Sequence, residues 1–214
     1  TVAYYDGISV VGKPAALHDA FQRLCGTGAE GVGSVGLRVR PSKCSVHGGI
    51  AAQCASLATD IDVQHCPDGV VVVGVPVGSE AFKTAHLAHR ADTVVRLVDT
   101  LTALPLAMQS KWLILRSSLA WRMAHLERTV DWALLSTSTR RVERAILAAA
   151  SAIFRLPPAL PPEPPDAPLA PSLELRQLSL ALRHGGFGLR ATSELQAAAA
   201  YLSGAAAAQL VMDD

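Results

Sequence analysis

The spacing of the apolar residues changes near residue 80, and this change constrains the fold more than any other feature of the chain. Before residue 80, short stretches alternate between apolar and polar residues or form β-branched runs next to glycine, as strands do. From 80 to 154, apolar residues return every three or four positions, which is typical of amphipathic helices. We therefore expect an α+β protein in which strands precede a helical bundle.

Three periodic stretches make up the helical part. The first apolar face comprises Leu87, Ala91, Val94, Val98 and Leu101. The second, which follows Pro105 and is predicted as one continuous helix, comprises Met108, Trp112, Leu115, Leu119, Met123, Leu126 and Val130. The third, in a helix predicted from 136 to 154, comprises Val142, Ile146, Ala149 and Ile153. Helices joined by such short connections bury their apolar faces against one another, so we expect a bundle.

Shorter elements are expected before the bundle. Pro14 favours the first turn of a helix, and a second short helix is predicted from 51 to 58. The β-branched run from 70 to 78 predicts a strand buried on both faces or the arm of a hairpin. Within this run, Gly74 indicates a bulge or a close backbone approach, and Pro76 an irregular or unpaired position.

The first twelve residues have the period of two that marks a half-buried strand or a tight hairpin. Asp6-Gly7 lies in the middle, and Asp-Gly is a frequent two-residue hairpin turn because glycine adopts positive φ without strain. A carboxylate at such a turn is held by its flanking strands and is able to meet a hard cation.

This block resembles the Tyr-x-Asp-Asp motif of reverse transcriptases, particularly those of non-LTR retrotransposons. Tyr4 matches the tyrosine, Tyr5 the variable position and Asp6 the first aspartate, while Gly7 stands where the second aspartate belongs. The resemblance implies an RNA-directed DNA polymerase that transfers nucleotides with two Mg²⁺ ions. It makes Asp6 a catalytic residue and metal ligand, and it places Tyr4 and Tyr5 near the nucleic acid.

Later segments follow the order of the same family. The stretch from 36 to 46 is predicted as a turn and a short strand; its residues 36–44 match a Gly-Leu-x-Val-x-Pro-x-Lys-Cys pattern, in which Lys43 would lie near the incoming nucleotide, although a solvated loop lysine fits equally. The valine run resembles the primer grip, which places Gly74 near the primer, and the helices resemble the thumb. The implied organisation is a partial palm with a small antiparallel sheet (1–79), a helical thumb (80–156), a proline-rich linker (157–172) and a C-terminal helical connection (173–214).

The same resemblance predicts that the chain does not polymerise DNA by itself. Two-metal catalysis needs several carboxylates around the ions, but Gly7 replaces one of them and the family's upstream aspartate strand is absent from this sequence. Since the sequence also lacks an initiating methionine, we expect a fragment of a longer enzyme.

The positive charge is concentrated in the helical part. Residues 80–155 contain 11 Lys and Arg against 6 Asp and Glu, whereas the blocks before and after contain 5 against 6 and 3 against 6. Such an excess suits a polyanion, but a solvated helical surface would have the same count. The predicted phosphate contacts are Lys111 and Arg122, which would lie within about 20° of each other on one helix, and the cluster Arg140, Arg141 and Arg144.

Several classes of protein are not expected. No apolar run approaches the roughly 20 residues that span a bilayer, and no secretory signal is present, so we expect an intracellular protein, cytoplasmic or nuclear, with no membrane partner. The Gly-x-Gly-x-x-Gly sequence at 31–36 follows a predicted helix instead of a strand, which argues against a dinucleotide cofactor. Nothing in the sequence indicates the oligomeric state.

The segment from 157 to 171 contains 8 of the 13 prolines, which predicts a spacer or, alternatively, a polyproline ligand. Beyond it, residues 183–190 form a glycine-rich turn of a kind that recurs after the thumb in retrotransposon proteins, and Ser193 is placed to cap a last Ala-rich helix.

Two functions remain open from sequence alone. One is a reverse-transcriptase fragment that binds an RNA or DNA template-primer without extending it. The other is a non-catalytic helical binding or scaffold protein.

Overall fold

The computed structural model describes residues 2–4, 7–26, 39–48, 50–156, 177–190 and 199–205. The chain divides into two compact units, Thr1–Lys83 and Thr84–Asp214. Helices and strands both occur, with 67% of the structure helical, which confirms an α+β protein at this level. The palm and thumb assignments stay predictions.

The first unit combines two helices with short strands. Its elements are β1 (Val2–Tyr4), β2 (Gly7–Ser9), α1 (Pro14–Cys25), β3 (Ser45–Val46), α2 (Ala51–Asp60), β4 (Gln64–His65), β5 (Gly69–Val72) and β6 (Val75–Gly78). In the described residues the strands form three separate pairs, β1-β2, β3-β4 and β5-β6, instead of the single antiparallel sheet expected. The β3-β4 pair is parallel, because α2 lies between its strands and provides the crossover that a parallel pair requires.

The opening hairpin has a different turn from the predicted one. Tyr4 lies opposite Gly7 in the antiparallel β1-β2 pair, so Gly7 begins β2 and does not lie in the turn. Residues 5 and 6, which connect the strands, lie outside the described residues. The alternation of apolar residues predicts the two strands, but the position of the turn sets how their residues pair. The turn predicted at residues 6 and 7 is therefore one residue away from the position that the pairing of Tyr4 with Gly7 implies.

The valine run folds as a complete hairpin. Val73 and Gly74 form its two-residue turn with φ angles of 51° and 81°, the positive values of a type I′ turn. Gly74 is therefore a turn residue and not a bulge. Pro76 is buried in β6 opposite Val71. The strand stays regular there because the residues of this second pair from the turn do not hydrogen-bond to each other, so the missing N–H of proline breaks no bond of the sheet.

The second unit is helical. Its helices are α3 (Glu80–Ala103, whose first turn belongs to the first unit), α4 (Met108–Ser117), α5 (Ala124–Thr129) and α6 (Trp132–Phe154), and residues 177–179 and 199–205 are also helical. The buried residues of α3 are the five that the sequence predicts. The four predicted positions of α6 are buried as well. This helix begins before 136 because the Asp131 carboxylate accepts a hydrogen bond from the Ala133 amide at 3.0 Å and caps its N-terminus.

The long helix predicted from 108 to 130 is broken. A 3₁₀ turn at Leu119–Trp121 separates α4 from α5, and Met108, at the start of the predicted face, is 52% exposed. The break follows Ser117, whose hydroxyl donates to the Leu113 carbonyl at 2.5 Å, a bond that competes with regular helix geometry. The five predicted positions from Leu115 to Val130 are nevertheless buried.

Candidate nucleic-acid interface

The residues predicted around the catalytic hairpin are only partly described. Tyr4 is the last residue of β1, whereas Tyr5 and Asp6 lie outside the described residues. In the part of the chain that the structure covers, no three His, Cys, Asp or Glu side chains form a group that could hold a metal ion. Asp6 is not among these residues, so its role as a catalytic residue and metal ligand stays a prediction.

Lys43 lies in a 3₁₀ turn instead of the predicted strand. Pro41 begins this turn, the Lys43 amide donates to the Arg40 carbonyl at 3.0 Å, and the Cys44 amide donates to the Pro41 carbonyl at 2.8 Å. The strand is shorter than expected and starts at Ser45 because proline cannot supply a ladder N–H. The Lys43 side chain is exposed, a position from which an ammonium group reaches anions in solvent.

The neighbouring thiol is not an activated nucleophile. Burial, followed by the charge of Cys25, raises the pKa of the Cys44 thiol above its usual value of 9.0. A raised pKa keeps the thiol protonated at neutral pH, and the thiolate is the reactive form of cysteine.

Gly74 is exposed at the tip of the β5-β6 hairpin. A glycine at this tip satisfies the positive φ of the turn, which is a structural reason for the residue that is independent of any contact with a primer. Its predicted contact with nucleic acid stays a prediction.

Lys111 of α4 forms a hydrogen bond with the C-terminal end of α3. Its Nζ donates to the Thr102 carbonyl oxygen at 2.6 Å, and the lysine is half-buried. A cation is favourable at this place because the last carbonyl groups of α3 lack helical partners and carry partial negative charge. Lys111 and Arg122 lie on either side of the break between α4 and α5, so they do not belong to one continuous helix as predicted.

The arginine cluster of α6 is divided between the surface and the helix contacts. Arg141 is exposed and pairs with Asp92 of α3 at 2.5 Å, and both side chains are about half exposed at 49% and 45%. Arg140 and Arg144 are half-buried. Arg141 therefore helps to join α3 to α6 and presents its guanidinium to solvent at the same time.

Exposed arginines occur on several helices of this part of the chain. Six of the 11 basic residues between 80 and 155 are exposed, namely Arg90, Arg96, Arg122, Arg128, Arg141 and Arg155. Arg122, another predicted phosphate contact, lies just after the 3₁₀ turn. The positive surface is thus distributed and does not form a single stripe.

A buried ion pair was missed by the sequence interpretation. Glu127 is 1% exposed and pairs with Arg190, whose guanidinium donates to both carboxylate oxygens. The Arg190 guanidinium also lies over the Trp121 ring, 4.9 Å from its centroid. One signal was available, because Glu127 follows Met123 by four residues and therefore falls on the apolar face of the helix, where a carboxylate needs a partner.

Arg190 belongs to a segment, residues 177–190, that we call the clip. Its Phe187 ring lies 4.9 Å from Phe154 and 5.9 Å from Trp112, measured between ring centroids. Leu178 and Leu189 of the clip are 1% and 3% exposed. The glycine-rich turn predicted at 183–190 is thus packed into the helical unit.

Comparisons with known proteins give no relative. No protein-family model, no curated protein and no solved structure matches the chain. None of the described helices has the combination of length and apolar character needed to cross a membrane.

Proposed function

We propose that the chain is a nucleic-acid-binding fragment of a non-LTR retrotransposon reverse transcriptase that does not polymerise DNA by itself. The observation that carries the proposal is the concentration of positive charge on the helices, where residues 80–155 have an excess of five basic residues and six exposed arginines. Contacts between such side chains and phosphates release counterions and favour binding to a polyanion.

The order of the segments supports the family assignment. The Tyr-x-Asp-Gly hairpin, the segment with Lys43, the valine hairpin and the basic helices follow one another as in the family. The absence of polymerase activity is argued from Gly7, which provides no carboxylate where the second motif aspartate belongs.

Salt dependence of binding tests the interaction with nucleic acid. We would measure the fluorescence anisotropy of a labelled RNA–DNA hybrid of about 20 base pairs with the full chain at 50 and 200 mM salt. Three phosphate contacts predict an affinity about 40-fold weaker at the higher concentration, since each contact contributes a slope of about 0.9. An affinity that is the same at both concentrations would contradict the proposal.

Substitutions of single charged residues test which side chains contact the phosphates. Arg122→Gln and Arg128→Gln should each weaken binding and reduce the salt slope by about one contact, since both side chains are exposed. Glu80→Gln, an exposed acidic residue at the start of α3, is the charge control and should not weaken binding. The catalytic part is tested separately by primer extension, in which the chain should give no more product than its Asp6→Ala variant.

A helical binding or scaffold protein is the second candidate. Exposed apolar side chains on and before α4 favour it, since Leu104, Leu106, Met108, Leu113 and Ile114 are 39–56% exposed. Binding to a protein partner through such residues would change little with salt, so the same titration distinguishes the two candidates.

A further inference from the structure

The clip is folded by its own hydrogen bonds. The amides of Phe187, Gly188 and Leu189 donate to carbonyl oxygens of residues 177, 180 and 178 at 3.1, 2.8 and 2.9 Å. A Cβ atom added at Gly186 would overlap the Leu180 carbonyl oxygen. The glycines thus allow a closed loop, and its internal hydrogen bonds hold the backbone that carries Phe187 and Arg190.

Two anchors attach the loop to the helices. Phe187 packs against Trp112 and Phe154, and three residues later Arg190 binds Glu127 with both of its terminal nitrogens. Leu189, between the anchors, is 3% exposed. Aromatic and arginine side chains anchored in desolvated pockets dominate the binding energy of protein interfaces.

The helical surface favours an occupant that carries a positive charge. Glu127 is 1% exposed and accepts hydrogen bonds from Arg190 on both of its carboxylate oxygens, and a charged, hydrogen-bonded partner stabilises a buried carboxylate. A planar guanidinium satisfies both of its oxygens and stacks on Trp121, which an ammonium group does less well. The surface is therefore complementary to arginine in both charge and shape.

We propose that the surface formed by Trp112, Trp121, Glu127 and Phe154 is a peptide-binding site for a closed Phe-Gly-Leu-Arg loop, and that it recognises this loop as a ligand even when the loop is not covalently attached. In this chain the site holds the clip, whose Phe187 and Arg190 occupy the aromatic and the acidic end. The proposal gives a role to the glycine-rich turn and does not depend on nucleic-acid binding.

The test supplies the loop as a separate peptide. In the full chain, Arg190→Glu places a carboxylate against Glu127 and should displace the clip from the site. A fluorescein-labelled peptide of residues 177–190 is then titrated into this variant and followed by fluorescence anisotropy. We expect it to bind the variant at least about thirtyfold more tightly than it binds the wild-type chain, whose site is occupied.

Variant peptides test whether the site recognises the Arg190 and Phe187 side chains. A peptide carrying Arg190→Glu should bind the variant at least about thirtyfold more weakly than the natural peptide, and one carrying Phe187→Ala should also bind weakly. Equal binding of the natural and Arg190→Glu peptides, or no binding at peptide concentrations of about 1 mM, would overturn the proposal.

A second variant keeps the test decisive if Arg190→Glu does not fold, as judged by circular dichroism. Phe187→Ala retains the Glu127–Arg190 pair and removes only the aromatic anchor, so the full-length Phe187→Ala chain should accept the natural peptide with at least about tenfold preference over the wild-type chain. Failure of both variants to fold would show that the clip is an inseparable part of the core and would also overturn the proposal.

Discussion

At the scale of single residues, the pair of Glu127 and Arg190 is the most consequential interaction in the described structure. Because Glu127 is 1% exposed, Arg190→Met removes a guanidinium that donates to both oxygens of a buried carboxylate. We expect this substitution to lower the free energy of unfolding by about 3 kcal/mol. Urea denaturation of the full chain, followed by tryptophan fluorescence, measures this value.

Two further variants test whether the lost stability comes from the buried Glu127 carboxylate or from the removal of any arginine of the clip. The double variant Glu127→Leu with Arg190→Met should recover most of the lost stability, since apolar residues often replace a buried ion pair without cost. Arg183→Met removes an exposed arginine of the same clip and should change stability by no more than about 0.5 kcal/mol. If Arg183→Met were as damaging as Arg190→Met, the role assigned to the buried pair would be wrong.

His86 gives the helical unit a dependence on pH. Burial, followed by the charges of Arg90 and His89, lowers the pKa of His86 below its usual value of 6.5. The unfolded chain therefore takes up a proton on this residue at a higher pH than the folded chain does. The stabilising contribution of neutral His86 is complete above pH 6.5 and is lost as the pH falls from there through the lowered pKa.

The His86→Gln variant should remove this part of the pH dependence. We expect its free energy of unfolding to fall less steeply below pH 6.5 than that of the wild-type chain, as measured by urea denaturation at intervals of half a pH unit. His184→Gln, a substitution of an exposed histidine in the clip, is the matched control. A wild-type slope retained in His86→Gln would assign the pH dependence to other groups.

At the scale of elements, the β5-β6 hairpin contains a residue that does not suit its conformation. Val73 has a φ of 51°, and β-branched side chains are strained in this left-handed region. Val73→Asn would give Asn-Gly, the preferred pair for a type I′ turn. We expect about 1 kcal/mol of stabilisation, seen as about fivefold slower hydrogen exchange of the hairpin amides in mass spectrometry. Val71→Asn, at an exposed strand position, should not slow exchange.

The helices show how far periodicity predicts an element. The apolar face of α3 is predicted residue by residue because one long helix buries one stripe against its neighbours. The break between α4 and α5 is not predictable in this way. A single 3₁₀ turn leaves the buried positions on both sides close to the helical phase, so Leu115, Leu119 and Met123 fit one continuous pattern although two helices carry them.

The candidate site was less predictable than the helices because its contacts depend on tertiary packing. Lys111 was predicted to touch phosphates, and no local pattern indicates the hydrogen bond that it donates to the Thr102 carbonyl at the end of α3. Glu127 and Arg190 are 63 residues apart in sequence, and no local pattern indicates that they meet. The glycines of the clip indicated a turn, but the surface that receives the turn is formed only when the helices pack.

At the scale of the whole molecule, the chain consists of a small mixed unit and a larger helical unit whose stability we expect to depend on its C-terminal part. The clip covers Trp112 and Phe154 and pairs with Glu127. A chain that ends at Leu156 would expose these aromatic rings and lose the guanidinium that donates to both oxygens of Glu127. We therefore expect the free energy of unfolding of the helical unit to fall by at least about 3 kcal/mol.

The position of the truncation distinguishes the clip from the residues after it. A chain that ends at Arg190 keeps the clip and should lose much less stability in urea denaturation followed by tryptophan fluorescence, since all three tryptophans lie in the helical unit. Hydrogen exchange of the β5-β6 hairpin should be unchanged in both truncated chains if the two units unfold independently. Equal losses in the two truncated chains would place the stabilisation after residue 190. The two truncated chains also differ in residues 157–176. Phe187→Ala in the longer chain separates the effect of the clip from that of this segment, because it removes only the aromatic contacts of the clip. It should reproduce part of the loss of stability.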